Sequence, residues 1–187
     1  MKRILGSMVA TFAILFSTLL SVGVVGPTPV AEARCIPAND LYRIYTFKDK
    51  TTSYHPTNIQ SDWATFRSGG TITYNKTKTA TVSASVTATV SAEAGVIFAK
   101  ASTSLGVTVG GSWSKSDSWA YSAVVPADSS HRYRLHMYHF SVSFKVMRKN
   151  WSYAKCNYVN AWGSWQTVKH APTKANRNIW RLDKVSL

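Results

Sequence analysis

Residues Thr79 to Phe98 read TATVSASVTATVSAEAGVIF. Every even position is apolar (Ala80, Val82, Ala84, Val86, Ala88, Val90, Ala92, Ala94, Val96, Phe98), and every odd position from Thr79 to Ser91 is Ser or Thr. A period of two belongs to a β-strand, whose successive side chains point to opposite faces. At ~3.3 Å per residue the run predicts about 50 to 60 Å of strand with one small dry face and one hydroxyl-lined face, well beyond the usual strand of about 5 to 6 residues. Alternation then resumes with its phase changed. Leu105, Val107, Val109, Trp113, Trp119, Tyr121, Ala123 and Val125 stand at odd positions, with Gly106, Thr108, Gly110, Ser112, Ser114, Ser116, Ser118 and Ser122 between them. This predicts a return strand that Lys115 and Asp117 can divide in two and that Pro126 ends. Residues 91–105 admit two readings. Ser91, Glu93 and Ala94 can open a short helix closed by Gly106; alternatively the strand continues through Phe98 and turns between Lys100 and Ser104. Gly95, Val96, Ser102 and Thr103 are indifferent helix formers, which favours strand and turn.

Elsewhere the pattern is also that of strands. Leu41 to Phe47 predicts a strand, Thr51 to Asp62, with Pro56, a loop, and Ser68-Gly69-Gly70 a turn before a strand opens at Thr71. Arg132 to Arg148 carries apolar residues first at odd positions (Tyr133, Leu135, Met137) and then at even ones (Phe140, Val142, Phe144, Val146), a phase change that predicts a bulge near 137–140. From Asn150 onward short strands and loops are expected, with a last strand over 180–185. The fold class is therefore all-β: an elongated antiparallel sheet with a long Ser/Thr-rich amphipathic hairpin, residues 79–125, and at most one short helix at 91–105.

At the start of the chain Lys2 and Arg3 precede an apolar run, Met8 to Val25, broken by Gly26, Pro27 and Pro29 and closed by Ala31-Glu32-Ala33. Basic, apolar and A-x-A regions in this order predict a secretory signal peptide over 1–33 and a single secreted β domain over 34–187. The chain has 22 basic and 8 acidic residues; without Lys2, Arg3 and Glu32 the balance is 20 against 7. Such a surface favours anionic partners, a membrane or a cell-wall polymer, with nucleic acid not expected. Two cysteines in an exported chain, Cys35 and Cys156, predict a disulfide tying the mature N-terminus to the C-terminal part.

Catalytic chemistry finds little to work with. His131, His136 and His139 sit in HRYRLHMYH, but on a strand His136 points away from the other two, and Arg132 and Arg134 stand among them, so no metal site is expected. No nucleophile-elbow, Walker or zinc-spacing motif occurs, and the few carboxylates have no recognisable hydrolytic setting. Neither an enzyme nor a cofactor is expected. Aromatic residues interleaved with cations, among them Arg132, Arg134, Trp151, Trp162 and Trp165, are candidates for contacting a surface, since rings can stack on sugars while cations hold phosphates.

The outward Ser/Thr-rich strand, the turn and the return strand ending in Val124-Val125-Pro126, residues 77–125, resemble the aerolysin-type β-pore-forming proteins, in the branch that includes the epsilon and mosquitocidal toxins. Family members usually carry a separate receptor-binding lobe, for which only the aromatic segments at the two ends of this chain offer a counterpart. The resemblance implies a monomer in solution that assembles into a ring on a membrane and donates one hairpin per subunit to a barrel. Ala80, Val82, Ala84, Val86, Ala88, Val90, Val96, Phe98, Leu105, Val107 and Val109 would then face lipid, and the hydroxyls of 79–91 the lumen. The alternative is a cationic surface- or glycan-binding β protein without lytic activity, in which the hairpin only rests on a sheet.

Overall fold

The structure is a computed structural model that describes residues 35–187; the signal-peptide expectation for 1–33 lies outside them. In chain order the strands and helices are β1 (Arg43–Gln60), β2 (Ala64–Phe66), β3 (Gly70–Ser83), β4 (Ser85–Val86), α1 (Ala88–Ser91), α2 (Ala94–Leu105), β5 (Ser112–Val125), β6 (Asp128–Ser152), β7 (Asn157–Asn160), β8 (Gln166–Pro172) and β9 (Asn178–Ser186). The chain is mostly β, with a large antiparallel sheet, as its alternation predicts. β6 is the spine of that sheet. β1 and β2 pair along one of its edges; β9, β8 and β7 pair in succession along the other. β3 and β5 form a separate two-stranded sheet with an unbroken register from Gly70–Val125 to Ser83–Ser112.

Three expectations are corrected. β1 runs from Arg43 through Gln60 and absorbs residues 51–60 of the segment expected to be a loop, leaving 61 and 62 outside it. Its turn-forming residues make irregularities inside the strand instead, one of them around Asp49, which adopts a positive φ of 54°. β5 is not divided at Lys115 and Asp117, because Lys115 ion-pairs with Asp117 on the strand itself. From His131 onward β6 carries no bulge. Where its pairings with β1 and β8 shift, the extra residues belong to those strands, and against β9 the register is unbroken; β6 holds extra residues only opposite β2, between Asp128 and Arg132.

The phase change along β6 has another cause. With its register unbroken, the odd residues Tyr133, Leu135 and Met137 point to one face of the sheet, and the even residues Val142, Phe144 and Val146 to the other. Each series belongs to a different core. The first cluster gathers Ile59, Tyr133, Leu135 and Met137 under Ile72, Tyr74, Ala80, Val82 and Trp113 of the β3–β5 hairpin. The second gathers Val142, Phe144, Val146 and Val168 under Val90, Ile97, Phe98 and Ala101 of the helices.

The hairpin segment therefore wraps around the β8 edge. Its stem lies on the odd face. Then β4 pairs with Val168 and Lys169 of β8, Val109 bridges Thr173, and the tip continues onto the even face. The tip is helical, so the long strand ends before Ala88 and the favoured strand-and-turn reading of 91–105 gives way to the helix. Apolar residues at 94, 97, 98, 101 and 105 form a helical stripe laid over the same letters as the period of two. Burial of Ile97, Phe98 and Ala101 selects that stripe; each large side chain so buried contributes about 1.5–3 kcal/mol. Gly106 ends the helix in the left-handed conformation (φ 65°), where glycine carries no Cβ penalty.

Cys35 and Cys156 form the expected disulfide, Cα–Cα 5.2 Å. Around it Trp151 Nε1–H donates to Cys35 O (2.7 Å) and the Tyr158 hydroxyl to Leu41 O (2.5 Å), so the N-terminal segment is fixed to the end of β6.

Candidate functional site

The stem of the hairpin has the two faces its sequence predicts. Ile72, Tyr74, Ala80 and Val82 are buried, whereas Thr73, Thr77, Thr79 and Thr81 are exposed. On the open face, hydroxyls meet across the strands: Thr73 with Ser122 (2.9 Å), Thr77 with Ser118 (2.8 Å) and Thr79 with Ser116 (2.5 Å). Lys76 and Lys78 interrupt the dry face opposite Trp119 and Asp117, so its continuous apolar part begins at Ala80. Asn58 of β1 clamps this point: its Nδ2–H donates to Thr79 O (3.0 Å), and its Oδ1 accepts the Thr81 N–H (2.8 Å).

Beyond the stem the expected lipid-facing residues are dispersed. Ala84 and Val86 are half-buried, Val90 and Phe98 are buried in the helical tip, and Ala88 and Val96 are exposed on its outside. Leu105 and Val107 are half-buried, and Val109 is buried at the edge of the sheet.

One acidic residue latches the tip to the sheet. Glu93, between the two helices, accepts a hydrogen bond from the Tyr45 hydroxyl (2.6 Å), makes a charge-assisted bond with Arg148 and lies 3.9 Å from Arg43. Burial pushes its pKa up, but the Tyr45 and Arg148 hydrogen bonds outweigh this and hold it below its ordinary value of 4.5. A carboxylate depressed on folding stabilises the folded form above its unfolded pKa and loses that contribution as pH falls through the folded value. Protection of the α2 amides, taken relative to intrinsic exchange at each pH, is therefore expected to fall only below about pH 4.5, and Glu93→Gln to remove this acid dependence. Hydrogen bonds to charged groups contribute about 1.5–3 kcal/mol each, so at neutral pH the variant should exchange its tip amides roughly tenfold faster or more, with β6 unchanged. Hydrogen exchange resolved by peptide provides the check.

The proposed surface residues do not converge on one patch. Trp151 stacks edge-on with Tyr158 (5.1 Å) beside the disulfide, Trp162 packs near Tyr45 (6.4 Å) and Arg148, and Trp165 lies under Lys48. Arg132 and Arg134 stand near the other end of β6 over Trp63, at 5.9 and 4.4 Å. The nineteen residue steps from Arg132 to Trp151 amount to about 60 Å of strand. Arg134 leads into a network on Asp183, which accepts from Arg134 (3.3 Å) and Tyr138 (2.7 Å) and bonds His136 (2.8 Å). Burial raises the Asp183 pKa, and the Tyr138 and His136 hydrogen bonds more than reverse this, leaving the group lowered.

The sequence did not single out Glu93, Trp63, Arg177 or Arg181 as site residues, although Glu93 belongs to a possible helix start. The first was visible as the one acid in the tip; the others are brought to their partners by nonlocal pairing.

The three histidines of the HRYRLHMYH run are placed apart. His131 bonds Asp128 and Ser130, His136 bonds Asp183 and Thr57 O, and His139 bonds Asn178 and Thr173 O while stacking on Trp113 (4.0 Å). Among the described residues no group of three His, Cys, Asp or Glu is arranged to hold a metal ion, and no helix is long and apolar enough to cross a membrane, which says nothing of strands. Comparison with family models, with curated proteins and with solved structures finds no match for this chain.

Proposed function

We propose that the protein is exported, binds an anionic surface as a monomer and assembles into a ring in which each subunit inserts residues 79–109 as a β-hairpin, making it a pore-forming toxin or antimicrobial-like protein. The observation that carries this reading is the register of the stem. Continued past the last observed pair, Ser83–Ser112, it sets Ser85 against Gly110, Thr87 against Thr108, Thr89 against Gly106 and Ser91 against Ser104. On the other face it sets Val86 against Val109, Ala88 against Val107 and Val90 against Leu105. Directly opposed residues share a face, so every hydroxyl falls on one side and every large apolar residue on the other. The helices that occupy this segment in the soluble form do not require that agreement.

Dimensions support the same reading. Ala80 to Val90 and Leu105 to Lys115 give about eleven residues on each side, against about 9–11 for a tilted strand crossing a bilayer. Trp113 and Trp119 then stand near the end of the span, where interfacial aromatics are favoured. A lone hairpin in lipid would leave two rows of unsatisfied backbone groups, each costing several kcal/mol. Conversion of the tip therefore needs neighbouring subunits to complete the sheet, which is why the reading includes a ring. In solution the helices satisfy much of their own backbone, and the two pairs of β4, the Val109–Thr173 bridge, the Glu93 latch, the hydrogen bonds of Lys50 to Leu105 O and of Thr87 to Gln166, and the second core oppose release.

The experiment is dye release from liposomes of anionic and neutral composition by secreted protein whose intact mass begins at Arg34. Release from some membrane, with ring-sized oligomers in the detergent extract, is expected. A protein that binds anionic surfaces yet never releases dye would leave the second reading, a non-lytic surface-binding module, which the arginine and tryptophan cluster of Trp63, Arg132 and Arg134 favours.

A further inference from the structure

The even face of the sheet is only half covered. The tip helices sit over Val142, Phe144 and Val146; toward the start of β6 the same face is open and carries a strip of arginines lying on aromatic rings. Arg132 and Arg134 lie over Trp63, Arg181 lies between Tyr138 (5.0 Å) and Tyr54 (5.8 Å), and Arg177 lies over Phe140 (4.1 Å). Register places them on one face, because β9 pairs with β6 without a shift: Asp183 opposite Arg134, Arg181 opposite His136, Ile179 opposite Tyr138. Arg134 is engaged by Asp183. Among the described residues, Arg132, Arg177 and Arg181 make no salt bridge, and all three are exposed.

A guanidinium stacked on a ring uses its flat side for the cation–π contact. Its N–H edge remains free to bind an oxyanion through two parallel donors. Three such groups spaced over the eight residue steps from Arg132 to Phe140 cover about 26 Å of strand. Trp63 and Tyr138 add amphipathic rings of the kind that settle at a bilayer–water boundary.

The geometry points to this strip as the docking face for an anionic phospholipid bilayer, gripped through lipid phosphates by Arg132, Arg177 and Arg181. A bilayer is favoured over a phosphodiester polymer because the helical tip lies on the same face. Docking there brings to the membrane the segment that has to enter it. The inference rests on the insertion reading, but it is measured by binding alone, so either can fail without the other.

The test is sedimentation with vesicles of phosphatidylglycerol and phosphatidylcholine, or of phosphatidylcholine alone, at physiological salt. Each basic residue near an anionic surface contributes roughly a fivefold factor in affinity. The triple variant Arg132→Gln, Arg177→Gln, Arg181→Gln should therefore bind anionic vesicles roughly 100-fold more weakly. Lys76→Gln, Lys155→Gln, Lys184→Gln, an equal loss of charge at exposed sites outside the strip, should cost only a few-fold, since charges beyond about 8 Å are screened. Circular dichroism confirms that both triple variants are folded. Equal losses in the two variants, equal binding to neutral vesicles, or binding to a phosphodiester polymer without binding to vesicles would each overturn the docking face. Arginine-dependent binding without dye release would uphold it and count against insertion instead.

Discussion

Ala88→Arg should abolish dye release, and Thr89→Arg, one residue along, should leave it largely intact with altered ion selectivity. Both positions are exposed on α1, and arginine is a good helix former, so the soluble fold should tolerate either change within about 0.5 kcal/mol. The same comparison at Val86 and Ser85 is less clean, because Val86 is half-buried against the second core. In the inserted hairpin Ala88 faces lipid, where a cation costs about 2 kcal/mol or more per subunit, a penalty that a ring multiplies by its subunit number. Thr89 faces the aqueous lumen in the proposed hairpin. Equal loss of release in two folded variants, or equal retention, would show that the two sides of this segment are never distinguished by a membrane.

Removal of the disulfide by the double change Cys35→Ser, Cys156→Ser should cost on the order of 4 kcal/mol of stability. The bond closes a loop with a sequence separation of 121, and the chain-entropy model assigns about 4.7 kcal/mol to a loop of about 100 residues. Urea unfolding should show the midpoint lowered by roughly 1.3–4 M, for slopes of about 1–3 kcal/mol/M. The loosening should be local at first. Amides near Arg43 to Phe47 lose protection, because the segment before them is held to β6 mainly by the bond and by the Trp151 and Tyr158 contacts. The β3–β5 hairpin, anchored by the first core, keeps its protection. A change below about 1 kcal/mol would mean that those contacts alone hold the N-terminal segment.

Much of the fold was legible because burial on one face leaves a period of two in the letters. Ala80 and Val82 against Thr79 and Thr81 told which side of β3 would be dry. An even number of cysteines told of the disulfide. Failures arose where one stretch satisfies two patterns or where a strand is not buried on a single side. Residues 88–105 hold the helical stripe Ala94, Ile97, Phe98, Ala101, Leu105 within an alternating series, and only the sheet beneath decides which is used. The phase change along β6 looked like a bulge on the assumption of one covered face; it arises because the hairpin rounds the β8 edge and covers both. The strand β1 hid behind Lys48-Asp49-Lys50, turn formers accommodated within a paired strand. At the candidate sites, Arg132 and Arg134 could be singled out from the chain, but Arg181 joins them through pairing with His136 across 45 residues of sequence.

The central claim is that residues 84–111 encode a second structure, an extension of the stem hairpin in its own register. It is tested most directly by single cysteines introduced in turn at 84–92 and 104–111 and labelled with an environment-sensitive fluorophore. The native cysteines are both bonded, leaving none free among the described residues. On membranes, emission should alternate with a period of two. Even positions to Val90 and odd positions from Leu105 to Val109 should report lipid, and odd positions 85–91 with even positions 104–110, all Ser, Thr or Gly, should report water. In solution the same labels should follow the helical burial of Val90 and its neighbours. A helical period that persists on membranes, or labels that never leave water, would contradict the claim.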